Sequence, residues 1–296
     1  MEKNRATIRH HSGIETIRAN NPSLMTGTGT NSYVLHSQGQ AIVIDPGPDD
    51  PVHLSALIAA IGSHSVCAIV VTHAHLDHSA LAPRLAAKIT APIVAFGGAA
   101  SGRHPAIEKL IQSGMPISGE GADHAFTPDT YLKDGDNIQF GQKALRILHT
   151  PGHMGGHICL ALGDTLFSGD HVMGWSTSLI APPDGHMGDY MSSLSLLMEN
   201  KWAEILPGHG ARIANPTQRL QELWNHRKSR EQAILTELIK GPASPAALTE
   251  TLYKTTAPAL WPAAERSVIS HLIDLQEKSV VSCDHSFLPH GLFRLN

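Results

Sequence analysis

Short apolar runs, each closed by Gly, Pro, Thr or Asp, recur through the first two thirds of the chain. Residues 31–45, NSYVLHSQGQAIVID, read as two short strands joined by a Ser-Gln-Gly turn. VHLSALIAAI (52–61) carries apolar positions at helical spacing after PGPDDP, whose Asp and Pro residues suit a helix start. CAIVV (67–71) has the unbroken apolar pattern of a buried strand; SALAPRLAAKI (79–89) reads as a helix and APIVAF (91–96) as another strand. Gly, Pro and Ser dominate 97–121 around one helical piece, AIEKLIQSG, which predicts a surface excursion near the site. KALRILHT, ICLALG, DTLFSGD and WAEILPG supply further short strands, with SSLSLLMEN between them as a helix.

The pattern changes near Asn215. NPTQRLQELWNHRKSREQAILTELIK is a long amphipathic helix opened by Asn215, with Pro216 in the first turn, where proline is tolerated. SPAALTETLY and AAERSVISHLIDLQEK are two further helices, and VVSCDHSFLPHGLFRL reads as a two-stranded ribbon. Three helices and a terminal hairpin predict a winged-helix-like module, dividing the chain into 1–215 and 216–296.

Composition narrows the function classes. At 42% hydrophobic and 16% charged residues, the 296-residue chain is globular and long enough for two domains. A net charge of −4 leaves no nucleic-acid footprint. The three cysteines are far apart and show no paired metal spacing; Cys67 and Cys159, in apolar runs, read as buried small hydrophobes. The polar start lacks the apolar core of a secretory leader, and no apolar stretch is long enough to cross a bilayer. A cytoplasmic protein with no membrane partner is expected, and a homo-oligomer is compatible with the pattern.

Chemistry enters through position, not through the count of 20 histidines. CAIVV runs into His73, His75, Asp77 and His78; ALRILHT into His153; DTLFSG into Asp170; AEIL into His209. Four times an apolar run ends in a tight turn that carries His or Asp. Strands of a layered sheet bring such turns to one edge, so seven nitrogen and oxygen donors can converge there. His73 and His75, two apart on an extended segment, project the same way. Imidazole and carboxylate suit Zn²⁺, Mn²⁺ or Fe²⁺, and two ions sharing a bridging carboxylate fit the ligand count.

THAHLDH, TPGH, SGD and PGHG resemble the successive signatures of the metallo-β-lactamase superfamily, and NSYVL followed by VIDPG resembles its opening hairpin. The resemblance implies an α+β fold, an αββα sandwich of two face-packed sheets with helices outside, followed by a small C-terminal winged-helix-like domain. It also implies that His73, His75 and His153 hold one metal ion, that Asp77, His78 and His209 hold another, and that Asp170 bridges them. The nearest likeness is to the β-lactamase-like protein 2 group, whose C-terminal module begins with text like HRKSREQ. No ligand is a cysteine, which departs from the lactamases that use one.

Two such ions, most simply Zn²⁺, activate a shared water, so the expected reaction is hydrolysis without a Ser or Cys nucleophile. Asp77 is expected to orient that water as well as bind metal, and His157 either to face the substrate as a proton donor or to cap a turn. Asp45 is read either as a turn residue or as a hydrogen-bond partner that orients a ligand. His149 is expected either to be buried or to support a ligand from behind, and His171 to serve packing. WSTSLIAPPDGHMGDY after Asp170 is expected to border the substrate, with Trp175, Asp184 and His186 as candidates. The expected substrate is a small-molecule ester or thioester, as in glyoxalase II-like members; the alternative is RNA, cleaved by an endoribonuclease like β-lactamase-like protein 2. Residues 216–296 hold nine Lys or Arg against eight Asp or Glu, and HRKSR (226–230) reads as a solvated helix face or a domain contact, which favours the ester.

Overall fold

The alternation in NSYVLHS and QAIVI decides which layers the sheet separates. Tyr33, Leu35, Ile42 and Ile44 face one way and pack with Leu145, Ile147, Leu160 and Phe167, the Tyr33 and Phe167 rings meeting edge-on at 5.1 Å. Val34 and Val43 face the other way, against the helical residues Leu54, Leu57, Ile61 and Leu85. Period-two patterning therefore makes one strand pair serve two apolar layers. The computed structural model that shows this describes residues 7–10, 13–115, 121–284 and 291–296. Part of the expected 97–121 excursion and of the C-terminal ribbon (116–120 and 285–290) lies outside the described residues.

One sheet runs in chain order: β1 (Thr7–His10), β2 (Ile14–Arg18), β3 (Asn31–Ser37), β4 (Gln40–Ile44), β5 (Ser65–Val70), β6 (Ile93–Ala95) and β7 (Thr130–Tyr131). Its first four strands are antiparallel and the pairs from β4 to β7 are parallel. The crossovers between parallel strands carry α1 (Pro51–Ile61), α2 (Leu76–Ser79), α3 (Ala82–Ile89) and α4 (Pro105–Gln112). The second sheet has β8 (Asn137–Phe140), β9 (Lys143–His149), β10 (Ile158–Leu162), β11 (Thr165–Gly169) and β12 (Glu204–Pro207) in the order β12-β11-β10-β9-β8. Its outer face, with Leu148, Cys159, Leu166 and Ile205, packs on Tyr190, Leu194 and Leu197 of α5 (Met187–Met198). Helix, sheet, sheet, helix is the expected sandwich. Cys159 is buried as expected, whereas Cys67 is half-buried.

Strands β1, β2, β7 and β8 were not foreseen. The text of β1 and β2 is mostly polar because β1 lies at the sheet's edge; only Ile14 and Ile17 of β2 reach the core.

The C-terminal helices are α6 (Pro216–Ile239), α7 (Pro245–Leu252) and α8 (Trp261–Glu277), followed by the ribbon β13 (Val281–Cys283) and β14 (Phe293–Leu295). Asn215 makes no side-chain capping bond, so α6 starts on Pro216 without one. The first half of α6 puts Leu220 and Leu223 into the core beneath α5. Its second half puts Ile234 and Leu238 into a separate core with Leu248, Val268, Leu272 and Phe293, which Ile107 of α4 joins. The helix belongs to both cores. No helix among the described residues is long and apolar enough to cross a membrane.

A polar clamp also joins the two parts. His186, the N-cap of α5, places Nε2 2.7 Å from Glu277 Oε2 at the end of α8, and the ring of His104 stacks on His186 at 3.7 Å. Burial opposes charge on His186, but Asp189 and Glu277 outweigh it and raise its pKa. The clamp's contribution is thus complete below the ordinary imidazole value, about 6.5, and is lost as pH rises through the raised value. Glu277→Gln is expected to lower stability by about 0.5 kcal/mol at pH 6 and by less at pH 9. Thermal melts at the two pH values check this; equal losses would mean an uncharged clamp.

Candidate metal centre

The centre is assembled from turns at strand ends, and hydrogen bonds behind it choose which ring nitrogen faces inward. Asp45 ends β4 with φ of 49°, in the left-handed region that Asp tolerates better than most residues. Its Oδ1 accepts from the Thr72 backbone N–H (2.7 Å) and its Oδ2 from the Thr72 hydroxyl (2.8 Å). That hydroxyl has one proton, so its oxygen accepts from His73 Nδ1–H at 3.0 Å, which leaves a lone pair on His73 Nε2. Asp45 Oδ2 also lies 2.9 Å from His78 Nδ1, and the Leu179 carbonyl lies 2.7 Å from His153 Nδ1. Both rings therefore present Nε2 to the site as well. Of the two readings open for Asp45, the orienting hydrogen bond is the one the geometry displays.

Three donor atoms meet first. His75 Nδ1 lies 3.0 Å from His73 Nε2 and 3.1 Å from His153 Nε2. Next to them, Asp77 Oδ2 lies 3.4 Å from His78 Nε2 and 3.3 Å from His209 Nε2, while the Thr30 hydroxyl donates to it at 3.1 Å. Asp170 stands between the groups: Oδ1 is 3.4 Å from His78 Nε2, and Oδ2 is 3.3 Å from His209 Nε2 and 3.8 Å from His153 Nε2. All seven residues expected as ligands are thus brought together. Gly208 makes the approach feasible, because a Cβ there would stand 2.5 Å from Asp170 Oδ1 and 2.9 Å from His78 Cε1.

The donor set fits two divalent ions. Ligand atoms about 2.1 Å from one tetrahedral ion stand roughly 3.4 Å apart, which is the spacing seen here. His78 Nε2 and Asp170 Oδ1 are buried with no hydrogen-bond partner, as expected of atoms that face a cation. His73, His75 and His153 form one possible ligand group and Asp77, His78 and His209 another, with Asp170 joining His73 and His78 in a third. Burial, with His153 beside it, lowers the His75 pKa to about 3; burial together with His78 and His75 holds His73 well below its ordinary range. Those rings are neutral, the form that ligates. Burial opposes charge on His209 and His78 too, but Asp170 raises His209 to about 9, and Asp77, Asp170 and Asp45 hold His78 well above its ordinary range. The same pairs overcome burial to keep Asp77 and Asp170 below the usual carboxylate range.

The expected proton-donor role of His157 fails on geometry. His157 is 0% exposed; its Nε2 accepts from the Asp170 backbone N–H at 3.2 Å and its Nδ1 faces the Thr150 hydroxyl at 3.0 Å. It braces the turn that carries Asp170 and does not line the cavity. His171 packs on Tyr190 and His149 stacks half-buried on Phe96, while His186 turns away to Glu277. Trp175, 48% exposed, does border the site. The trio His104, His186 and Glu277 also has clustered ligand atoms, but its imidazole planes are 9° from parallel, so their in-plane lone pairs cannot converge on one ion.

A cavity of about 560 Å³ opens over the centre. Its floor includes His75, Asp77, His153, Asp170 and His209; Met173 and residues 175–179 form one side, and Leu24 and Met25 the rim. The wall opposite comes from the C-terminal module: His226, Arg227, Tyr253, Leu260, Ala264 and Ser267. HRKSR is thus partly a domain contact, and Arg227 went unforeseen as a cavity residue; only the basic knot in the text pointed to it.

The metallo-beta-lactamase superfamily model matches residues 25–209, and the beta-lactamase associated winged helix domain matches 244–286. A "Beta-lactamase-like protein 2 homolog" of Drosophila melanogaster is 32% identical over 92% of this chain and 91% of its own length. An "Atrochrysone carboxyl ACP thioesterase" of Aspergillus chevalieri is 27% identical over 76% of this chain, which spans 65% of that protein. A solved metallo-beta-lactamase family protein of Thermus thermophilus, TTHA1429, shares the fold at a TM-score of 0.75, with 22% identity over 96% of this chain and 99% of that one. Matched by the family model over residues 25–209 and by a relative 32% identical across 92% of its length, the chain belongs to the metallo-β-lactamase superfamily of hydrolases.

Proposed function

We propose that the protein hydrolyses a thioester, and more slowly the matching oxygen ester, of a small molecule with an apolar acyl part. His73, His75 and His153 would hold one divalent ion, Asp77, His78 and His209 a second, and Asp170 would bridge them; Zn²⁺, Mn²⁺ and Fe²⁺ all suit the nitrogen and oxygen donors. Bound there, the ions would supply Lewis acidity and make a water between them far more acidic than in bulk. Asp77, partly open to the cavity, orients that water through its carboxylate. The Asp45–Thr72–His73 relay and the Asp45–His78 bond fix the rings, so the geometry is set before substrate arrives.

The carrying observation is that, among the described residues, no histidine outside the candidate ligand set offers a proton to a leaving group in the cavity. His157 is sealed behind it, and His226 on the wall is pulled down to about 4 by burial and by Arg227, Arg230 and Arg219. At neutral pH neither delivers a proton. A thiolate, whose acid has a pKa of about 8.5, departs without one, whereas an alkoxide does not. The apolar rim of Leu24, Met25 and Trp175 suits an acyl chain, and a relative named as a thioesterase supports the reading.

Turnover of a butyryl thioester, its oxygen ester and a single-stranded RNA with added Zn²⁺ or Mn²⁺ tests it. The thioester is expected to exceed the ester at least tenfold in kcat/KM, with the RNA left intact. Cleavage of the RNA without thioester turnover would overturn the reading.

A further inference from the structure

Arg227 is 3% exposed yet lines the cavity. Its Nη2 donates to the Ser178 carbonyl at 2.5 Å, Nη1 lies 3.5 Å from Ser267 Oγ, and the buried Nε has no partner. The guanidinium lies 5.2 Å from the centroid of the Tyr190 ring. Among the described residues no carboxylate lies within 4.0 Å of it. Arginine cannot shed its proton, so this is a buried positive charge without a counter-ion, an arrangement that folding alone disfavours.

The neighbours do not supply the missing charge. Arg230 donates to the Leu252 carbonyl and stacks over Tyr253 at 4.2 Å. His226 and His271 are both held neutral, by burial first and by these arginines next. The carboxylates on the cavity floor, Asp77 and Asp170, are engaged with His78 and His209. The guanidinium therefore adjoins the metal centre's cavity with its donors only partly used.

We propose that Arg227, with the Ser267 hydroxyl beside it, is an anion subsite that takes a carboxylate on the acyl part of the substrate, remote from the bond that breaks. Resting on the thioesterase reading, this makes the substrate class the monothioester of a dicarboxylic acid. A guanidinium pairs with a carboxylate through a planar fork of donors, which gives direction as well as attraction. One such group amid Met173, Leu179, Leu260 and Ala264 suits a single anionic end on an apolar body, whereas an RNA strand would call for a row of cations.

Calorimetric titration of the metal-loaded protein with succinate and with butyrate tests the subsite directly. Wild type is expected to bind succinate at least tenfold more tightly, and Arg227→Gln to lose that preference. Ser267→Asp, which introduces a counter-ion beside Nη1, is expected to abolish the preference while leaving the melting temperature equal or higher; it serves if Arg227→Gln does not fold. With succinyl and butyryl thioesters, Arg227→Gln is expected to raise KM for the first at least tenfold more than KM for the second. A structural role alone would instead lower kcat for both. Equal binding of the two acids by wild type, or a preference that survives in both variants, overturns the subsite. Arg227-dependent binding of a uridylate oligonucleotide without succinate binding overturns it in favour of RNA. Arg227-dependent succinate binding with neither thioester hydrolysed would leave the subsite standing and remove the thioesterase reading.

Discussion

Asp170→Ala is expected to lose at least one metal ion per chain and about a thousandfold or more in turnover, since both the cation count and the water activation depend on it. Its two oxygens approach His78, His209 and His153, and no other described side chain reaches both ligand groups in this way. The fold should persist. The Asp170 backbone N–H that meets His157 is unchanged by the substitution, and β11 and β12 pair through main-chain bonds. Without the carboxylate, His78 and His209 also lose a partner that favours their charged forms. Elemental analysis beside a thermal melt checks the result; two ions retained per chain would sink the bridging assignment.

A chain ended at Asn215 is expected to aggregate, although 1–215 is the segment that the sequence marks off as the catalytic domain. Leu220 and Leu223, each 1% exposed, fill the core beneath α5 together with Tyr190 and Leu197. Emptying a buried leucine site costs about 2–5 kcal/mol, so losing both removes much of the roughly 5–15 kcal/mol that holds a domain together. A chain ended at Asn225 keeps both leucines and should remain monodisperse and bind metal, though without the cavity wall. Light scattering and metal analysis on the two truncations separate the outcomes. A monodisperse, metal-binding 1–215 fragment would show that α6 is dispensable to the first core.

The candidate ligand set was visible in the text because each member follows an apolar strand within a turn or, for Asp77 and His78, within the single helical turn α2, and strand ends cluster in space by construction. HxHxDH, GH, GD and PGHG needed no long-range information beyond that. Asp45 was only half legible: VIDPG reads equally as a turn, and the link to His78 depends on how β4 and β5 pair. The role of His157 stayed open between substrate and turn because spacing from His153 places a residue near the site but does not say which side of the donor layer it occupies. Arg227 was legible only as part of the basic knot HRKSR, for a different reason. A helical face declares its amphipathicity but not its partner, and the partner here is a cavity made jointly with a loop 49 residues earlier in the chain. The edge strand β1 escaped notice because an edge needs few apolar residues.

The cavity's two-part construction separates what evolution can change from what it cannot. The ligand turns leave little latitude: Gly208 has no room for a side chain, and Asp45 holds two histidines at once through Thr72 and His78. The facing wall is built from α6, α8 and the segment between α7 and α8, tied back by a clamp that touches no candidate ligand side chain. Drift along that wall reshapes which molecules fit without disturbing the chemistry beneath them. Substitutions on that wall are therefore expected to shift substrate preference while metal binding is kept.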